Sequence, residues 1–169
     1  MGLNRKRKII TKLLIGLTVA ISGLFLLSFS SSRPATLGVR NGKLSELPTT
    51  PNCVSSQSLD PARRMPPIPF SGTPTAVRNR IRQIVQQLPR TKIISETPVY
   101  LHVECSSAVF RFVDDVEFLF DDSANLVHFR SAARVGYSDL GINRKRMARI
   151  ARMYAETASN QQKMDRHAP

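Results

Sequence analysis

FRFVDDVEFLFDDSANLVHFRSAARVGYSDLGINRKRMAR, residues Phe110 to Arg149, decides the fold. Val116 to Phe120 and Leu126 to about Ala133 alternate apolar and polar side chains. That two-residue period marks half-buried strands. Between them Asp121-Asp122-Ser123-Ala124-Asn125 has the composition of a hairpin loop. Val109 to Val113 gives a further strand pattern, and Asp114-Asp115 then interrupts the apolar run. The pair fits a tight turn, or a bulge within one longer strand. Ser138 or Asp139 caps a helix that carries Met147, Ile150 and Tyr154 on one side.

Upstream, Pro98 to Cys105 alternates Val99, Leu101, Val103 and Cys105 against Tyr100, His102 and Glu104. This predicts a half-buried antiparallel strand. Residues 75–88, TAVRNRIRQIVQQL, place Val77, Ile81, Ile84, Val85 and Leu88 on one stripe, with Arg78, Arg80 and Arg82 turned away. Thr73 caps this helix, Pro74 fills its first position and Pro89 ends it. Residues 31–74 are rich in Pro, Ser and Gly and read as a linker and irregular segment. Residues 75–157 read as the core of the domain, and 158–169 as a polar, frayed tail. The expected fold class is α+β: a mostly antiparallel sheet of three to five strands packed with two amphipathic helices.

Residues 1–30 form the remaining unit. Arg5, Lys6, Arg7, Lys8 and Lys12 precede Leu13 to Phe29, a run with no charge. The pattern predicts a transmembrane signal anchor, or else a cleaved signal peptide. Either leaves the positive charge in the cytoplasm and the C-terminal domain outside it, in a periplasm or lumen, or secreted if cleavage occurs. Export argues against nucleic acid as a partner despite a net charge of +13. Only two cysteines are present, too few for a disulfide scaffold.

Three segments carry a resemblance to a known family. They are Pro51 to Gln57 (PNCVSSQ), Phe112 to Phe118 (FVDDVEF) and Arg130 to Arg146 (RSAARVGYSDLGINRKR). Their order and spacing resemble the domain of unknown function numbered 1499, over roughly Leu37 to Tyr154. The resemblance implies an exported or membrane-associated domain of unassigned activity. Many members of that family have a Cys-Pro pair shortly before the PNCVSS motif. Here Leu47 precedes Pro48, so a local two-cysteine site of that kind is not available.

The same segments hold the candidate site. Cys53, with Asn52 before it and Ser55 two positions on, is a candidate nucleophile, and His102 or His128 would be its base. The alternatives are a packed thiol or a disulfide to Cys105. Asp114, Asp115 and Glu117 suit a hard cation or acid–base chemistry. Their simpler use is structural pairing with Arg111, Arg130 and Arg134. Arg130, Ser131, Arg134, Ser138, Asp139, Asn143 and Arg144 surround a helix start able to hold a phosphate or carboxylate, unless Asp139 and Asn143 merely cap it. No motif for zinc, a nucleotide or a serine nucleophile is present, and no metal or cofactor is expected. The functional expectation is a membrane-anchored, non-cytoplasmic domain, not an enzyme, that binds an anionic ligand or a protein partner. The alternative is a hydrolase dependent on Cys53 or on the acids Asp114, Asp115 and Glu117.

Overall fold

The computed structural model describes the backbone of residues 2–29 and 31–166, and the side chains of 4–23, 26 and 31–160. The domain is α+β, built on an antiparallel six-stranded sheet. In chain order the elements are α1 (Gly2–Phe29), β1 (Val39–Arg40), β2 (Lys43–Leu44), β3 (Cys53–Ser55), β4 (Ile68–Pro69) and α2 (Pro74–Gln87). There follow β5 (Thr91–Thr97), β6 (Tyr100–Ser106), β7 (Val113–Asp121), β8 (Leu126–Ala133) and α3 (Ile142–Arg166). The sheet runs β3-β8-β7-β6-β5, and β4 pairs the other half of β8. β1 and β2 form a separate hairpin.

β7 is the central strand, and it explains the site. Its sequence alternates, yet every residue from Asp114 to Phe120 is buried. Val116, Phe118 and Phe120 join Val127, Phe129, Leu101 and Val103 in the apolar core. Val77, Ile81 and Ile84 of α2, with Met147, Ile150 and Tyr154 of α3, cover that face. Asp115 and Glu117 point to the opposite face, where the irregular N-terminal segment covers them. Gly38 N–H donates to Glu117 Oε1 at 2.8 Å, which pins the β1–β2 region there.

α2 begins and ends as its sequence dictates. Thr73 Oγ1 accepts from Ala76 N, and Pro74 opens the helix. The β7–β8 hairpin closes through Asp121, whose Oδ1 accepts from Ser123 N and Ala124 N. Asn125 there has φ 55, a left-handed conformation that Asn tolerates.

Several expectations are revised. Residues 109–112 form a loop, not a strand, because Arg111 has φ 57 and breaks the extended run. Asp114 and Asp115 lie inside a continuous strand. Thr91–Thr97 is an unanticipated edge strand: a register shift between Ile93 and Ser95 breaks its alternation, and most of its outer side chains are exposed. The sheet gains further strands from the stretch read as linker, since β3 and β4 pair with β8. α3 continues through Arg166, beyond the expected end at residue 157.

The anchor or signal expected over residues 1–30 lies partly outside the described side chains, which omit 1–3, 24, 25 and 27–30. Among the described residues, no helix is long and apolar enough to cross a membrane.

Candidate functional site

Strand parity places Tyr100, His102, Glu104, Asp115, Glu117 and Arg130 on the sheet face away from the helices. Registry then sets them side by side. Glu117 lies opposite His102 on β6 and Arg130 on β8, and Asp115 lies opposite Glu104. Two linked sets result. In the first, Glu117 Oε2 accepts from Arg130 Nη1 at 3.0 Å, and Oε1 accepts from Tyr100 Oη at 2.7 Å as well as from Gly38 N. In the second, Asp115 Oδ1 accepts from His102 Nε2 at 2.8 Å and from Arg134 Nη2 at 2.7 Å. Asp115 Oδ2 accepts from Arg134 Nε at 2.8 Å. Arg134 also bonds Glu104, which takes a further bond from Arg33 at 2.6 Å.

Glu117 is 0% exposed and Asp115 1%. Burial alone raises a carboxyl pKa, but hydrogen bonds from Arg134 and His102 outweigh it and hold Asp115 below the usual aspartate range. Glu104 follows the same logic: burial pushes it up, and Arg134 and Arg33 bring it down. Arg134 is correspondingly pushed up, mainly by its bond to Asp115. Burial and the Glu117 carboxylate push the Tyr100 phenol up, so it stays protonated and donates. Arg130 Nε is buried without a hydrogen-bond partner among the described residues.

A third set lies on the helix face at the head of α3. Arg146 Nη2 donates to Asp114 Oδ2 at 2.6 Å, and Nη1 to Asn143 Oδ1 at 2.6 Å. Ser131 Oγ donates to Asn143 Oδ1 at 2.5 Å, while Asn143 Nδ2 donates to Asn52 O at 3.0 Å. Asn52 Nδ2 reaches Gly136 O at 2.7 Å. Here burial outweighs Arg146, and Asp114 is pushed above the usual range. Asp139 Oδ2 accepts from Asn143 N at 2.7 Å and Oδ1 from Gly141 N at 3.0 Å. The helix start is therefore already occupied by a carboxylate of its own chain. Ser138 Oγ accepts from Leu140 N. Arg144 Nη2 donates to Ala62 O at 2.5 Å, tying the helix to the loop after β3.

Cys53 and Cys105 are both free and buried. They sit on strands separated by β8 and β7, a span of about 14 Å at ~4.8 Å per strand. Cys53 Sγ lies 3.1 Å from Thr50 O and 3.9 Å from Arg63 Nη1. Its pKa is raised, chiefly by burial, and Arg63 only partly counters this. Neither histidine serves it: His102 is bonded to Asp115, and His128 Nδ1 faces Ser56 Oγ at 3.2 Å. Ser55 Oγ donates to the Phe129 carbonyl. Among the described residues, no group of three or more His, Cys, Asp or Glu side chains is placed to hold a metal ion.

The three sequence segments thus converge on one region. β3 brings Asn52 to Ser55 alongside Ser131 and Ala132, and β7 brings the acids to the same rungs. A family described as protein of unknown function (DUF1499) matches residues 43–153. The chain belongs to the DUF1499 family. No curated protein and no solved structure is significantly similar to it.

The alternation of the sequence places Tyr100 and Glu104 on a polar strand face, but the candidate site read from the sequence does not include them. Arg33, Gly38 and Arg146 were also absent from it. Strand parity carries the signal for Tyr100 and Glu104, since both share a face with His102. Nothing local marks Arg33 or Gly38, which arrive from more than 70 residues away. Arg111, a candidate partner for the acids, is not one of the cations that bond them; Arg146 takes Asp114 instead.

Proposed function

We propose that this DUF1499 chain is a non-enzymatic binding domain that works outside the cytoplasm, directed to a membrane by residues 1–30. One observation carries the reading: the candidate acids Asp114, Asp115 and Glu117 each hold an arginine, and Cys53 has no histidine base. Asp114, Asp115 and Glu117 bond Arg146, Arg134 and Arg130, so these groups hold strands and loops together. The surface that remains is cationic and suits an anionic ligand.

Five cations before an uncharged run support the direction of membrane traffic. Ile10, Leu13, Leu14, Leu17 and Val19 of α1 are exposed, free to meet a targeting receptor or an interface. The association we propose for this segment is delivery to the membrane or anchoring at it.

Two measurements test the reading. Protease added to intact cells with a permeable outer envelope should degrade the domain, whereas protection until the inner membrane is lysed would refute the location. Native mass spectrometry of the full chain from its own membrane fraction should show a bound anion or partner. A turnover abolished by Cys53→Ala or Asp115→Asn in a folded variant would refute the non-enzymatic part.

A further inference from the structure

A cleft of about 270 Å³ opens between the α2–β5 turn and the first turns of α3. Leu88, Cys105 and Ile142 give it an apolar lining, and Arg90, Lys145, Arg146 and Arg149 surround it with positive charge. We propose that this cleft binds the phosphate headgroup of an anionic lipid at a membrane surface. The proposal rests on the membrane-directed reading above for its ligand's source.

The charge balance is the first argument. Asp114 compensates Arg146. Lys145 and Arg149 have no acidic partner among the described residues, and they sit one turn apart on α3, where like charges repel. A bound phosphate removes that repulsion. Arg90 is the second argument. It has φ 56, a left-handed backbone that costs an arginine more than it would a glycine or asparagine. Its Nε donates to Ser106 O at 3.1 Å, which fixes the side chain beside the cleft. Arg146 is likewise held in place by Asp114 and Asn143 before any ligand arrives. Fixed guanidinium groups suit phosphate oxygens and lose little entropy on binding.

The third argument selects a lipid over a free anion. Ile142 is half exposed at the cleft, and Leu140, in the turn just before it, is 82% exposed with φ 54. Tyr137 is exposed in the same loop. Exposed apolar and aromatic side chains in the loop that leads into the helix, with uncompensated cations on the helix itself, match the boundary between headgroups and acyl chains. Cys105 in the lining is a buried thiol, and burial pushes it up to about 11.

Isothermal titration calorimetry tests this on the full chain in a neutral detergent, with dihexanoyl phosphatidylglycerol, dihexanoyl phosphatidylcholine and inorganic phosphate as probes. The phosphatidylglycerol should bind, and inorganic phosphate should bind at least about ten-fold more weakly. Lys145→Gln with Arg149→Gln should weaken the lipid at least about ten-fold at an unchanged melting temperature. Arg40→Gln with Lys43→Gln, the same charge loss on the β1–β2 hairpin, should leave it within about two-fold. Leu140→Ser should weaken the lipid and not inorganic phosphate. Equal binding of the two lipids overturns the proposal, as does inorganic phosphate as tight as the lipid, an unaffected cleft variant, or an equal loss in the hairpin variant. Because the titration is done in detergent, its failure is separate from failure of the proposed location.

Discussion

Glu117 and Arg130 are both buried, so removing one leaves the other as a charge with no counter-ion. Glu117→Ala should cost about 3–5 kcal/mol by chemical denaturation, and pairing Glu117→Leu with Arg130→Met should recover most of it. The aspartates beside them titrate in opposite senses. Asp115 sits below its unfolded value, so its contribution is complete above about pH 4 and is lost as pH falls through the folded value. Asp114 sits above its unfolded value, so its protonation favours folding, and that contribution is lost as pH rises through the folded value. Denaturation midpoints between pH 7 and pH 3 should therefore fall less steeply in Asp115→Asn than in the wild type, and more steeply in Asp114→Asn. The cysteines give a simpler check: both are buried with raised pKa values, so a thiol reagent should label them only after unfolding.

At the scale of elements, β7 serves both faces of the sheet. Phe118 is fully buried on the helix face, and Phe118→Ala should cost about 3–5 kcal/mol, read from the denaturation midpoint. α2 depends more on its own sequence. Thr73→Ala removes the acceptor for Ala76 N and should cost about 1 kcal/mol. The stripe of α2, its cap and its stop were legible because a helix is made of contacts three and four residues apart. β5 was not legible, because its bulge shifts the period and an edge strand buries little. β3 and β4 were hidden for a different reason: each is two or three residues long, below the length at which alternation can be seen.

For the whole molecule, the N-terminal irregular segment covers the polar face of the sheet. Gly38 N reaches Glu117, Leu44 N donates to Gln57 Oε1 and Arg33 reaches Glu104. Deleting residues 31–45 should expose the buried ion pairs and lower the melting temperature by several degrees, measured by circular dichroism on chains lacking residues 1–30. Deleting residues 1–30 alone should leave it nearly unchanged, since the described apolar side chains of α1 outside Gly23 are exposed.

By itself the sequence determined the α+β class, the two helices of the domain, the β6, β7 and β8 strands and the family. These follow from short-range periodicity and from motifs read in order. It also singled out Asp114, Asp115, Glu117, Arg130 and Arg134, and the pairing of the last four was among its readings. Only the tertiary structure decided that β7 is buried on both faces, which places Asp114, Asp115 and Glu117 in the interior, each bonded to an arginine. It also decided that Cys53 has no histidine base, and that Arg90 and Arg149, 59 positions apart, line one cleft. The reason is physical. Local sequence sets which face a side chain occupies, but what covers that face depends on chain segments far away, and burial determines whether a charge is a reactive group or a structural one.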